Sequence, residues 1–395
     1  MQNPFEATLP RRMLFRAGCV TEAGGIAQHY GSRCLVFTGS RPERAEKLLE
    51  ALKQSHITCE ILAVTGEPTL DSVREDFEKA GTCSPGVVVA MGGGSVIDTA
   101  KAVAMLLTNG GEPLDYAEVI GHGRPVSRPS LPLIAIPTTA GTGTETTRNA
   151  VLRHPTHGLK VSIRSSTMLP EAVVLDPELT LGLPPSVTAA TGMDALCQLV
   201  EAFVSRKANP WTDALCRAGI PRAAAALPRA CEAPDDLDAR GEMMLAANWS
   251  GIALASSGLG AAHGFAAVLG GRAGIGHGLL CATFLAPVCR ANLAALEGEG
   301  NQEEALGRFR ELASLLTGRA RATSADGPEW LEAFTARLPL ESLPPVDDIR
   351  VDEIVSDVLG SSSMKGNPTA LTPGVLTEIL QGTCRNSVTR PGRTG

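Results

Sequence analysis

The stretch GVVVAMGGGSVIDTAK, residues 86–101, joins a continuous apolar run to three glycines and then to a helical pattern. Unbroken apolar runs of this kind are typical of strands that are buried on both faces of a parallel sheet. The glycines allow a sharp turn and a close approach to a ligand, and the start of the following helix favours an anion. The stretch therefore predicts a phosphate-binding strand–turn–helix unit. A tight turn that binds nothing fits the same pattern.

The first half of the chain repeats this alternation of strand and helix. Further apolar runs occupy 34–40, 57–64 and 131–139, and helical patterns occupy 44–54, 72–81 and 95–109. Strands that alternate with helices indicate a parallel sheet covered on both faces. We therefore expect a Rossmann-like α/β dinucleotide-binding domain over residues 1–183.

From about Leu183 onward, the β-branched runs give way to patterns rich in Ala and Leu. The expected helices are 186–205, 211–226, 238–257, 259–269, 278–296, 302–316 and 328–338. Because proline disrupts a helix interior, we expect Pro210, Pro221 and Pro228 at helix breaks or first turns. The second domain, residues 184–395, is therefore predicted to be all-α.

Composition narrows the possible partners and compartment. A chain of 395 residues exceeds the ~250–300 residues of a single core, which favours two domains. Its net charge of −7 carries no basic stripe, so we expect no nucleic-acid partner. No apolar run reaches the ~20 residues of a membrane span, and no signal peptide is evident. Ten dispersed cysteines without a C-x-x-C pair indicate free thiols and a cytoplasmic protein.

A second donor-rich loop, PTTAGTGTETT at 137–147, follows the next apolar run and contains two glycines and six threonines. Two such loops at the carboxyl ends of parallel strands fit the pyrophosphate of a dinucleotide. Ser95 is predicted to cap the helix after the first loop, with Asp98 completing a capping box. The first loop is not the G-x-G-x-x-G fingerprint, since residue 97 is Ile. A threonine-rich surface loop is the alternative.

The turn TGSR at 38–41 bears on the choice of nicotinamide cofactor. An acidic residue there would bind the adenosine ribose and repel a 2′-phosphate, but this chain has Gly39, Ser40 and Arg41. Small residues beside a guanidinium suit a phosphate, so the sequence favours NADP(H) over NAD(H). The alternative is that Arg41 is a solvated surface charge.

The helical pattern TGMDALCQLVEAFV at 191–204 places Asp194 and Gln198 one turn apart on the same helix face. His263 and His277 lie fourteen residues apart around a glycine-rich turn. With Asp194 they form a plausible oxygen and nitrogen ligand set for a divalent metal, to which Gln198 could contribute. Two histidines satisfied within the core are the alternative.

Taken together, these segments resemble the iron-containing (group III) alcohol dehydrogenases. The motifs in order are MGGGSVIDTAK (91–101), PTTAGTGTETT (137–147), LDPELT (175–180), TAATGMDAL (188–196) and the two histidines at 263 and 277. The resemblance extends from about Pro10 to near Leu380. It implies the group III alcohol dehydrogenase fold, which dehydroquinate synthases share: a dinucleotide-binding α/β domain and a helical domain carrying metal and substrate.

The resemblance also implies roles for individual residues. The family's metal ligands fall on Asp194, Gln198, His263 and His277, and the second is normally histidine. A second family histidine near the nicotinamide is replaced by Ala267. The implied cofactor-binding residues are Gly92, Gly93, Gly94, Ser95, Asp98, Thr138, Thr139, Thr142, Thr144 and Lys160, beside Gly39, Ser40 and Arg41 predicted above.

The resemblance implies an NAD(P)-dependent oxidoreductase that transfers a hydride between the cofactor and an alcohol or aldehyde, or a ketone. His263 and His277 are the expected catalytic residues, and Fe or Zn is the expected metal if the site with Gln198 retains one. A metal-independent reductase similar to the maleylacetate reductases is one alternative. A lyase similar to dehydroquinate synthase and a non-catalytic cofactor sensor are others. We expect a small alcohol, aldehyde or keto-acid substrate and a homodimer or larger homo-oligomer, with no membrane partner.

Overall fold

The computed structural model describes residues 3–300, 302–344 and 350–388. Contacts divide the chain into two compact units, Thr8–Leu181 and the chain from Gly182 onward together with the N-terminal residues through Ala7. This division lies two residues before the predicted boundary at 183. Residues 1–2, 301, 345–349 and 389–395 of the two predicted domains lie outside the described residues.

The first unit is built on a six-stranded parallel sheet, which confirms the predicted fold class. Its strands are β1 (Arg12–Phe15), β2 (Arg33–Thr38), β3 (Thr58–Ala63), β4 (Val87–Gly92), β5 (Leu133–Pro137) and β8 (Ala172–Leu175). Its helices are α1 (Ala23–Ala27), α2 (Glu46–Gln54), α3 (Leu70–Ala80), α4 (Gly94–Asn109) and α5 (Pro113–Tyr116). An antiparallel hairpin, β6 (Asn149–His154) and β7 (Leu159–Arg164), was not expected from the sequence.

Strand order explains where this unit can bind a ligand. The order is β1-β8-β5-β4-β2-β3, and every residue of β4 is buried between apolar clusters on the two sheet faces. From β2 the chain passes to β3 on one side and then crosses to β4 on the other. Such a reversal leaves a crevice outside the carboxyl ends of the two strands, where α/β sheets bind their ligands.

The glycine-rich turn begins the helix without the predicted cap. Gly93 is the N-cap in an extended conformation, no side chain caps the helix, and Gly94 is its first residue. The predicted capping box of Ser95 and Asp98 is therefore wrong, because the glycines let the helix start before Ser95. A Cβ on Gly92 would lie 2.4 Å from Val96 Cγ2, so the turn requires glycine there.

A buried cation joins α4 to the threonine loop. Lys101 is 1% exposed, and its Nζ donates to the carbonyl oxygens of Thr144, Thr147 and Asn149 at 2.5, 2.7 and 3.0 Å. Burial lowers the pKa of Lys101 to about 8, while the nearby Asp98 opposes that shift. Because three backbone carbonyls depend on one ammonium group, Lys101 fixes the path of the loop.

The second unit consists of helices. They are α6 (Pro185–Val204), α7 (Pro210–Glu232), α8 (Leu237–Ser257), α9 (Ala261–Ala273), α10 (His277–Glu299), α11 (Glu303–Thr317), α12 (Asp326–Arg337), α13 (Val351–Gly360) and α14 (Pro373–Val388). Pro210 lies in the first turn of α7 as expected, but Pro221 and Pro228 lie inside that helix, so the predicted breaks are wrong. Packing of α7 against both α6 and α8 offsets the hydrogen bonds that the prolines remove.

Two of these helices have the length and mean apolar composition of a membrane span. Among the described residues, they are α6 and α10. In α6 the polar residues Asp194 and Gln198 interrupt the apolar run. Within the apolar windows of α6 and α10, 83% and 67% of the residues are buried. Their apolar surface is therefore used to pack the helical unit.

We predict that Lys101→Met will lower the free energy of unfolding of the first unit by about 3–5 kcal/mol, because three buried backbone carbonyls would lose their donor and the nearby Asp98 would lose a compensating positive charge. Urea unfolding followed by circular dichroism measures this change. Lys79→Met is the matched control, since that lysine pairs with Asp76 at the surface and its side chain is 57% exposed. Its loss should cost at most about 1 kcal/mol. Equal stabilities of the two variants would contradict the role given to Lys101.

Candidate active site

A cavity of about 420 Å³ lies in the first unit at the carboxyl ends of β2 and β4. Its walls include six of the residues predicted to bind the cofactor: Gly39, Ser40, Arg41, Gly92, Gly93 and Thr138. The sheet brings them together because parallel strands present their carboxyl ends at one edge. These residues lie between positions 39 and 138 of the chain, and their positions in the sequence do not reveal that they line one cavity.

The glycine and threonine loops touch each other. A Cβ on Gly94 would lie 2.9 Å from Thr142 Cγ2, and one on Gly93 would lie 3.4 Å from Thr139 Oγ1. Glycine at these positions therefore lets the two loops pack closely.

The other seven predicted cofactor residues do not line this cavity: Gly94, Ser95, Asp98, Thr139, Thr142, Thr144 and Lys160. Asp98 and Thr144 are buried and hydrogen-bonded to each other, and Asp98 also accepts the Val151 N–H at 3.2 Å. Lys160 forms a 2.6 Å ion pair with Glu67. Asp98 and Thr144 thus hold the threonine loop in place.

The cavity wall near β2 carries both positive and negative charges. Arg41, Arg44 and Lys47 line it, and Lys47 forms a 2.8 Å ion pair with Glu178. A Cβ added to Gly39 would meet no atom within 4 Å, so the fold itself does not require glycine there. The space beside Arg41 is therefore open to a ligand.

In the helical unit, α6 carries three buried polar residues on one face. Asp194, Gln198 and Glu201 follow the i, i+4, i+7 spacing of a helix stripe and are 3–4% exposed. Buried polar groups need partners, and each of the three has them. These partners come from α6 itself and from α8, α9 and α10.

The carboxylate of Asp194 is the point at which the partners converge. Its Oδ1 lies 3.3 Å from His263 Nε2, 3.7 Å from His277 Nε2 and 3.6 Å from Cys281 Sγ. The Cys281 sulfur is also 3.7 Å from His263 Nε2. One ligand atom from each of these four residues lies within 4.8 Å of the other three, a spacing that can hold a metal ion. His277 is the half-buried member of the set, so the site is accessible on its side.

Glu201 orients the His263 ring. Its Oε2 lies 2.7 Å from His263 Nδ1, and its two oxygens accept the N–H groups of Gly260 and Ala262 at the start of α9. With Nδ1 engaged by Glu201, Nε2 is the ring nitrogen that faces Asp194. Carboxylate groups behind metal-binding histidines act in this way.

Gln198 forms hydrogen bonds on both sides of its amide. Its Nε2 donates to Asp194 Oδ1 at 3.1 Å, and its Oε1 accepts from the Ser250 hydroxyl at 2.6 Å. The amide oxygen is therefore engaged with α8, and the amide nitrogen faces the acidic side chain. The role of Gln198 as a ligand remains a prediction.

The pKa values of the cluster shift in opposite directions. Burial disfavours the charged form of His263, but the charge of Cys281 and the bond to Asp194 outweigh burial and raise its pKa well above the ordinary value. Burial also favours a neutral Cys281. The hydrogen bond from Cys197 and the charges of His263 and His277 prevail and hold the pKa of Cys281 well below its usual range. Of the two buried thiols, Cys281 is the one whose pKa is lowered, while burial raises the pKa of Cys197.

Two residues of this site, Cys281 and Glu201, were not predicted from the sequence. Each had a signal in helical spacing: Cys281 is four residues after His277, and Glu201 is seven after Asp194. Lys101 was also missed in the first unit, although it ends the glycine motif. Eight of the ten cysteines are buried, as the sequence suggested.

Comparisons with known proteins found matches to both units of the chain. Residues 10–177 match the family described as iron-containing alcohol dehydrogenase, and residues 188–381 match its C-terminal domain. Alcohol dehydrogenase 4 of Schizosaccharomyces pombe is 40% identical over 291 residues, 72% of this chain and 68% of that protein.

Solved structures show the same similarity. A crystal structure of 1,3-propanediol oxidoreductase superimposes with a TM-score of 0.86 at 28% identity and covers 96% of this chain and 100% of its own. Sulfoacetaldehyde reductase from Bifidobacterium kashiwanohense, solved with NAD⁺, gives a TM-score of 0.83 at 25% identity and covers 96% of this chain and 99% of its own.

We predict that Gly278→Ala will disturb the cluster of Asp194, His263, His277 and Cys281. The Cβ of the new alanine would lie 2.1 Å from the Ala190 carbonyl oxygen on α6. Relief of that contact must shift the first turn of α10, which carries His277. The expected loss is about 1–3 kcal/mol in the free energy of unfolding, measured in urea. Gly298→Ala on the same helix is the control, since its Cβ would meet nothing within 4 Å. That variant should be neutral or more stable by about 0.5–1 kcal/mol.

Proposed function

The chain belongs to the iron-containing alcohol dehydrogenase family, and on that premise we propose that it is a metal-assisted aldehyde reductase that prefers NADP(H). It is an oxidoreductase that transfers a hydride between a nicotinamide cofactor and an alcohol or aldehyde. The alternatives of a metal-independent reductase and a lyase lack this support. The convergence of Asp194, His263 and His277 is the observation that carries the proposal.

The donor set of the helical unit fits the divalent metal that the family uses. One carboxylate, two imidazoles and a thiol surround a common space, and Glu201 fixes the tautomer of His263. These residue types bind Fe²⁺ and Zn²⁺. A cation held there supplies a Lewis acid that polarises the carbonyl oxygen of the substrate. Asp194 and the two histidines would hold it, with the fourth position unassigned between Gln198 and other groups.

The residues of the chain then have distinct tasks in hydride transfer. Asp194 provides a carboxylate oxygen, and Glu201 holds the His263 ring so that its Nε2 faces that oxygen. His277 is the half-buried member of the set, with 31% of its side chain exposed. Because Ala267 replaces the second family histidine, the proton for the alcohol oxygen must come from water, a cofactor hydroxyl or another side chain.

The cavity of the first unit supports cofactor binding and the proposed preference. Its glycine and threonine loops present backbone N–H and hydroxyl donors suited to a pyrophosphate. Gly39 leaves open space beside Arg41, where a 2′-phosphate would meet a guanidinium and no acidic side chain from residues 38–41.

The remaining functional details are also proposals. We infer a small alcohol or aldehyde as the substrate, with keto acids as further candidates to be assayed. A homodimer or larger homo-oligomer in the cytoplasm fits the family and the free thiols.

The central test is elemental analysis of the purified protein, followed by aldehyde, ketone and keto-acid assays at the NADPH and NADH absorbance. We expect a bound divalent metal, aldehyde-dependent cofactor oxidation and loss of activity on chelation. His263→Ala should lower kcat by about 10²–10³-fold, the scale of a lost electrostatic contact to the reacting oxygen. His29→Ala, at an exposed position of the first unit, is the control. Full activity of metal-free protein would refute the metal-assisted mechanism.

The cofactor preference is tested by Gly39→Asp. A carboxylate there should repel the 2′-phosphate and accept the ribose hydroxyls, so the ratio of kcat/KM for NADPH to that for NADH should fall by about 10–100-fold. Gly39→Asn has nearly the same shape without the charge and should change the ratio much less. An unchanged ratio in Gly39→Asp would rule out a role for this position in cofactor choice.

A further inference from the structure

Cys281 occupies a position in the helical unit that the family pattern does not assign. It lies one turn after His277 on α10, and its side chain is fully buried. Its sulfur is 3.6 Å from Asp194 Oδ1 and 3.7 Å from His263 Nε2. The other buried thiol nearby, Cys197, is 3.6 Å from Nδ1 of His263, the nitrogen that Glu201 engages. Of the two thiols, Cys281 is the one near the Nε2 that faces Asp194.

The distances among the four groups suit a shared ion. A tetrahedral site with bonds of about 2.0–2.3 Å has ligand atoms about 3.3–3.7 Å apart. The four measured separations are 3.3, 3.6, 3.7 and 3.7 Å, and they join Asp194, His263, His277 and Cys281. The 3.7 Å between His277 Nε2 and Asp194 is too long for a direct hydrogen bond. The separations among all four groups therefore fit one shared centre, and the contact of His277 with Asp194 has no hydrogen bond to account for it.

Gln198, by contrast, is arranged as a support for Asp194. Its Oε1 accepts the Ser250 hydroxyl at 2.6 Å, while its Nε2 donates to the carboxylate at 3.1 Å. For its oxygen to bind a metal, the amide would have to turn over and leave Asp194 without this donor.

We propose that Cys281 supplies a thiolate as the fourth protein ligand of the metal, with Gln198 positioning Asp194. This inference rests on the proposed metal-assisted function and deepens it. The set then becomes one carboxylate oxygen, two imidazole nitrogens and one sulfur. A thiolate is a soft ligand, and a tetrahedral site with thiolate and imidazole ligands favours Zn²⁺ over Fe²⁺. The proposed site is therefore a zinc site.

The test uses the full chain, stripped of metal by a chelator and reloaded with Co²⁺ alone. A thiolate ligand produces an intense sulfur-to-cobalt charge-transfer band in the near ultraviolet, which oxygen and nitrogen ligands do not. The wild type should show this band, and Cys281→Ser should bind Co²⁺ without it. Competition with a chromophoric chelator should show Zn²⁺ affinity lowered by about 10–100-fold or more in Cys281→Ser.

Cys289→Ser is the matched control, because Cys289 is a buried thiol on the same helix, two turns farther on. It should retain both the band and the Zn²⁺ affinity. Thermal unfolding of the metal-free variants checks that each one folds.

The outcomes separate this inference from the proposed function. A band that persists in Cys281→Ser, or one that only Cys197→Ser removes, overturns the assignment of Cys281. Co²⁺ binding without a band, weakened by Gln198→Leu, would also overturn it and leave the metal-assisted function intact. Failure of the wild type to bind either Co²⁺ or Zn²⁺ would overturn both.

Discussion

A single buried carboxylate, Asp194, is the constraint on which the helical unit depends. An ionised group without partners costs several kcal/mol in a protein interior, so the surrounding helices must supply donors or cations. Gln198, His263, His277 and Cys281 all approach its Oδ1, and they come from α6, α9 and α10. Three helices that pack through Ala, Leu and Gly elsewhere therefore share one polar centre. Their close approach, at Gly278 above all, is what makes that centre compact.

The second buried carboxylate on the same face of α6, Glu201, determines how the His263 ring is oriented. It satisfies two N–H groups at the start of α9, where a helix leaves its first donors without partners. The same carboxylate receives His263 Nδ1 and so fixes which ring nitrogen faces Asp194. Helix start and imidazole tautomer are thus determined together. The chemistry of the site accordingly depends on a residue that touches neither substrate nor cofactor.

In the α/β unit, the buried charge that organises its surroundings is a cation, Lys101. Lys101 and Asp98 are buried on one helix, and both bind the threonine loop, Lys101 through its carbonyls and Asp98 through the Thr144 hydroxyl. The residues expected to meet the cofactor therefore divide into two groups. Gly39, Arg41 and Thr138 border the cavity, while Asp98 and Thr144 are buried, do not line it and are hydrogen-bonded to each other. The sequence motifs contain residues of both groups, and the sequence alone does not show which residues belong to which group.

The sequence by itself determined the class of fold, the change from α/β to helical structure near residue 183, and the motifs that identify the family. These features follow from local periodicity and from short runs such as MGGGSVIDTAK, in which each residue acts through its neighbours in the chain. Local rules failed where packing outweighs propensity, as at Pro221 and Pro228 inside α7. Only the tertiary structure decided that Cys281 joins Asp194 and the two histidines, and that Gln198 turns its oxygen toward Ser250. Such choices depend on distances between helices far apart in sequence, and spacing within one helix carries no information about those distances.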